Sequence, residues 1–178
     1  MTARSSRSRA IEQATPPSVA AQARMIPLSS AVTNIVVRVA GIVPVRLDLS
    51  HVGTVEQQLG LSLGTVLVYL RSGLTARCVA EEWGKAAVLA QSLAPAVVGR
   101  RPLAVGPSTV AAMVQLGGAP RVTSVAQPAR AGGAVPALVR VQVGPVTWEV
   151  SDATAYVSLL RAWRQAARLL GDNPTEDE

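Results

Sequence analysis

Phenylalanine is absent from this sequence, and aromatic residues make up only 3% of its 178 positions. A core must therefore be built from valine, leucine and alanine, with tryptophan supplying bulk where phenylalanine is missing. Cysteine occurs once, at Cys78, which excludes an intrachain disulfide and fits a reducing compartment. One cysteine and one histidine also exclude a Cys/His zinc site within a single chain. No apolar run reaches the roughly 18 residues of a membrane-span candidate. The stretch near Ile35 is broken by Arg38 and Arg46, and that near Val79 by Glu81, Glu82 and Lys85. The N-terminal arginines have no apolar segment behind them, so no secretory signal is expected. Walker loops, GxGxxG and GxSxG are all missing. These absences lead to the expectation of a cytoplasmic protein that is not an enzyme, with no cofactor, no metal and no membrane contact.

Hydrophobic residues account for 49% of the chain and charged residues for 16%, enough apolar material for one domain or two very small ones. The net charge is +6, but Lys85 is the single lysine among 17 basic residues. Such an arginine and alanine excess reads as compositional bias, so position matters more than total. Residues 1–28 carry +3 and read as a disordered basic arm. Residues 95–137 hold six prolines, six glycines and +4 of charge, and read as a basic connector. Residues 172–178 carry −4 and form an acidic tail.

Between these segments, residues 29–94 read as a β-hairpin plus a first ββα unit, and 138–171 as a second. AVTNIVVRVAG and IVPVRLDLS are Val/Ile-rich, with Gly41 as turn material and Pro44 marking an edge strand. In 74–93 the residues Val79, Trp83, Ala86, Ala90 and Leu93 form one apolar helical stripe. Ser72 is its expected N-cap, and Glu81 with Lys85 an i,i+4 pair. PSTVAAMVQLGG, inside the connector, is expected to make two helical turns stopped by Gly117. SDATAYVSLLRAWRQAARLLG reads as a helix with the stripe Tyr156, Leu160, Trp163, Ala167 and Leu170.

LGLSLGTVLVYLRSG, residues 59–73, admits two readings. LGLSLGTV followed by Leu70-Arg71 resembles the second and third helices of sigma-factor-like DNA-binding domains, over about 15 residues. That resemblance implies a turn and a recognition helix, but VLVYL offers no polar side chains for base edges. Shifted by 80 positions, the stretch instead aligns with VRVQVGPVTWEVSD, and Trp83, Ala86, Ala87 and Leu89 align with Trp163, Ala166, Ala167 and Leu169. VRVQV and VTWEV alternate strictly around Gly144-Pro145, as a hairpin does. By this comparison residues 59–70 are a hairpin too. The fold class expected is α+β: two ββα-like units, about 57–93 and 137–171, plus an N-terminal hairpin, in an antiparallel sheet with helices on one face.

Candidate sites are few. His51 with Asp48 could be half of a general-base dyad, but no nucleophile is specified beside them, and a surface-loop histidine is the plainer reading. Cys78 reads as a small helix residue, and Glu81 and Glu82, being adjacent, diverge by about 100°. Arg161, Arg164 and Arg168, spaced by three and four, form one basic face suited to phosphate or an acidic partner. Trp83, Trp163 and Tyr156 are expected as core residues or interface anchors. The function expected is a protein-interaction or scaffold module that self-associates as a homo-oligomer or binds a protein partner. The alternative is a nucleic-acid-binding accessory protein using the basic arm and the arginine-lined helix.

Overall fold

Gly64 and Gly144 adopt φ values of +62° and +55°, a region that L side chains rarely enter. Each opens a two-residue turn, and the chain on either side pairs antiparallel, Leu63 with Val66 and Val143 with Val146. A computed structural model describes residues 34–96, 110–129 and 136–171. The expected basic arm, the acidic tail and parts of the connector lie outside these residues. The hairpins are β3 (Gln58–Leu63) with β4 (Val66–Leu70), and β7 (Leu138–Val143) with β8 (Val146–Val150). Residues 66–70 are therefore a strand, which removes the recognition helix that the sigma-factor resemblance implied.

A helix follows each hairpin: α1 (Gly73–Lys85) and, after a break at Ala86, the short α2 (Ala87–Ala90) follow the first, and α3 (Ala153–Gly171) follows the second. The hairpins and the starts of α1 and α3 are each 80 positions apart. Ser72 caps α1 by accepting from the Leu74 N–H at 3.1 Å. Asp152 caps α3 through the Ala155 N–H at 2.8 Å, and its other oxygen accepts from the Gly41 N–H at 2.8 Å. The carbonyls of Ala94 and Pro95 take the next free donors of that first turn, the N–H groups of Ala153 and Thr154. Lys85 pairs with Glu82 at 2.6 Å rather than with Glu81, the i,i+3 partner lying closer than the i,i+4 one.

The fold is α+β, as the alternation of strand and helix patterns implies, but its strands form two sheets rather than one. Sheet A has the order β1-β8-β7-β6 and sheet B the order β2-β3-β4-β5, with β1 (Ile35–Val39), β2 (Val45–Ser50), β5 (Ala112–Leu116) and β6 (Val122–Gln127) completing them. Both sheets are mixed, because β1 runs parallel to β8 and β5 parallel to β4. The expected N-terminal hairpin does not form. β1 and β2 have similar composition, but Ala40 to Pro44 carries the chain from sheet A to sheet B, burying Val43 on the way. The expected helix in PSTVAAMVQLGG is instead β5, whose Val114 and Leu116 enter the core. Pairing with β4 outweighs a local helix preference.

The inner faces of both sheets meet the helices in one hydrophobic cluster. α3 touches β8 of sheet A and β2 and β3 of sheet B, while α1 touches β4 and β6. The helices thus bridge the sheets and pack on each other, so the alanine-rich faces are covered within one chain. Gly73 is needed there: a Cβ on it would lie 2.9 Å from the Leu170 carbonyl oxygen. That proximity places the start of α1 against the end of α3, so the pair is antiparallel. Trp83 and Trp163 have no exposed surface, and their rings supply bulk for this junction. Neither indole N–H finds an acceptor among the described residues, a cost of about 1–3 kcal/mol each set against the burial of a large ring.

Candidate functional site

Antiparallel packing of α1 and α3 leaves an open groove of about 750 Å³ along their outer side. Ala80, Gly84 and Ala167 are among its lining residues, small enough to keep it wide. Arg77, Lys85, Arg164 and Arg168 line it too, with Glu81 as the only acidic lining residue among the described residues. A Cβ on Gly84 would lie 3.8 Å from Nη2 of Arg164, so α1 lets that guanidinium lie across the groove. Lys85 is engaged by Glu82 at the rim, and the ion pair pushes its pKa up. Arg164 and Arg168 form no ion pair with any described residue. An anionic group entering here meets fixed positive charge beside low-dielectric walls, where Coulomb attraction is stronger than in bulk water.

The groove brings together two of the three arginines singled out by their spacing. Arg161 is exposed on α3 and does not line it. Arg77 was not anticipated; facing helices, rather than spacing along one, bring it alongside Arg168. Trp83, Trp163 and Tyr156 are core residues. The tyrosine hydroxyl donates to the Trp83 carbonyl at the break after α1, and the two rings lie 5.7 Å apart. Burial pushes the Tyr156 pKa up to about 12, the nearby positive charge of Arg164 opposing it weakly.

His51 and Asp48 do not assemble. His51 sits at φ +55° in an exposed turn closed by its carbonyl, while Asp48 faces Arg46 at 3.6 Å. Cys78 is half-buried on α1. Among the described residues no three His, Cys, Asp or Glu side chains come together in a way that could hold a metal ion. No described helix is long and apolar enough to cross a membrane.

A second charged cluster lies on the outer face of sheet A. Glu149, buried on β8, accepts from Arg38 at 2.9 and 2.7 Å through one oxygen and from Arg140 at 2.9 and 2.6 Å through the other. Arg38 and then Arg140 hold the carboxyl below the usual glutamate range, with burial opposing them. Arg140 opposite Glu149 was readable from the two-residue turn at Gly144-Pro145, since that turn fixes the register. Arg38 was not, because it arrives from 111 positions away. The hollow beside the cluster, about 370 Å³, is lined by Asn34, Thr123, Gln142 and Thr147 among others, and there Thr147 donates to Asn34 at 3.0 Å. Compared with known proteins, the chain matches no family model, no curated protein and no solved structure.

Proposed function

We propose that the chain is a non-enzymatic protein-interaction module that holds an acidic segment of a partner protein in the α1/α3 groove. The observation that carries this reading is the pair Arg164 and Arg168, exposed beside the groove and forming no ion pair with a described residue. Guanidinium forks suit carboxylates because two parallel N–H bonds fit the two oxygens.

The nucleic-acid alternative draws on the same arginines and is less well supported. Single strands are held by aromatic stacking as well as charge, but Trp83, Trp148, Trp163 and Tyr156 are buried, and Tyr69 is half-buried on β4. The cationic track from Arg77 to Lys85 is also short, eight residues of helix or about 12 Å, and Glu81 interrupts it. Self-association remains part of the proposal through the outer sheet faces, where Val36, Met113 and Val125 are exposed. The decisive experiment titrates a labelled oligoglutamate peptide and, separately, mixed-sequence DNA into the full chain at low salt. Peptide binding that disappears in Arg164→Gln/Arg168→Gln is expected. Binding of DNA alone would replace the proposal with the alternative.

A further inference from the structure

The residues after α3 include Asp172, Glu176, Asp177 and Glu178, with no basic residue among them. We infer that this acidic segment, residues 172–178, is itself an occupant of the α1/α3 groove, held by Arg168 and Arg164 in competition with the acidic partner. The inference rests on the reading of the groove given above and adds regulation to it.

Place, reach and charge carry it together. The segment leaves α3 beside the groove: a Cβ on Gly171 would lie 3.3 Å from Nη1 of Arg77, a groove-lining residue. The antiparallel helix pair then lays the groove out from Arg77 toward Lys85, a run of about 12 Å. Seven extended residues cover roughly 23 Å, more than the run requires. Charge supplies the direction. Carboxylates at a helix C-terminus are opposed by the partial negative charge of its free carbonyls. An acid-rich stretch directly after α3 is therefore disfavoured in line with the helix axis and favoured beside Arg168, in the last turn. Arg164, one turn earlier, extends that track and has no ion-pair partner among the described residues. Linking an occupant to its site raises its effective concentration to the millimolar range. Even weak carboxylate–guanidinium contacts then compete with a free partner.

The test neutralises the segment in the full chain with Asp172→Asn, Glu176→Gln, Asp177→Asn and Glu178→Gln, leaving every described residue unchanged. Two readouts follow: the side-chain Nε–H resonances of Arg164 and Arg168, and the affinity for labelled oligoglutamate. The account expects both resonances to move on neutralisation at low salt, and the difference to vanish at about 1 M salt, where screening acts within 3 Å. It also expects the neutralised chain to bind the peptide about fivefold to tenfold more tightly. Unmoved resonances overturn the inference whether or not the peptide binds. Measurable but equal affinities for the two forms also overturn it, because an occupant of the same groove must weaken the probe. Moved resonances with no peptide binding to either form leave the segment in the groove and remove the partner reading instead.

Discussion

On the outer face of sheet A, Arg38 and Arg140 close on the two oxygens of Glu149, whereas along the helix groove Arg164 and Arg168 reach no carboxylate of a described residue. Composition does not distinguish these arginines; all four are solvent-facing members of regular elements. The difference lies in what the opposite strand or helix presents. β8 offers a carboxylate at the register where β1 and β7 bring their guanidiniums, so those arginines are committed to the fold. Opposite α3, α1 presents Ala80 and Gly84, which give space, and Glu81, which forms no ion pair with Arg164 or Arg168. On the proposed reading, a basic patch is available to a partner only where the fold leaves its charge uncompensated.

The comparison can be broken at its scaffold, at the sheet cluster or at the helix junction. Trp163→Ala removes the largest ring of α3 from a fully buried site, and should cost about 4 kcal/mol by urea denaturation. Because the groove exists only while the helix pair is packed, peptide binding should fall with the folded fraction.

Glu149→Ala should cost less, about 2 kcal/mol, since the side chains of Arg38 and Arg140, 61% and 45% exposed, can turn to water once their partner is gone. Its pH dependence has a definite sign. The carboxyl is held below its unfolded value, so its contribution is present above about pH 4.3 and is lost as pH falls through the folded-state value. A Glu149→Gln chain should be weaker at neutral pH and show a flatter acid limb. An unchanged acid limb would mean that this cluster does not stabilise the fold.

Smaller again, Tyr156→Phe strands the Trp83 carbonyl at the end of α1, at about 1 kcal/mol. It should also remove one alkaline transition. With a folded pKa pushed up to about 12, the tyrosine's contribution is present below its unfolded value of about 10 and is lost as pH rises through that interval.

The hairpins and helices were legible because their signals are local. Alternation around Gly64 and Gly144 and the apolar stripes through Trp83 and Trp163 need only neighbours in sequence. β1 is the strand its composition implies but pairs with β8 rather than β2, and β5 is a strand where a helix is expected, because the partners of both are remote. Ile35 sits beside Val146 in parallel register, and nothing in IVVRV names that strand. AMVQL carries good helix formers between a Ser/Thr start and a glycine stop, and only the parallel edge of β4 makes it a strand. The site was legible by halves for the same reason. Spacing on one helix found Arg164 and Arg168, while Arg77 and Lys85 required the facing helix, and Arg161 shared a helix with them without lining the groove.

The most direct test of the two arginine pairs exchanges them between roles. Arg164→Gln/Arg168→Gln and Arg38→Gln/Arg140→Gln are compared in the full chain, each assayed for urea stability and for oligoglutamate affinity. The account predicts that the groove pair loses peptide binding with stability within about 0.5 kcal/mol of the parent, as for surface changes. It predicts that the sheet pair loses about 3 kcal/mol, from an unpaired buried carboxylate, and keeps the parent's affinity. Peptide binding that survives loss of Arg164 and Arg168, or that depends on Arg38 and Arg140, would contradict it.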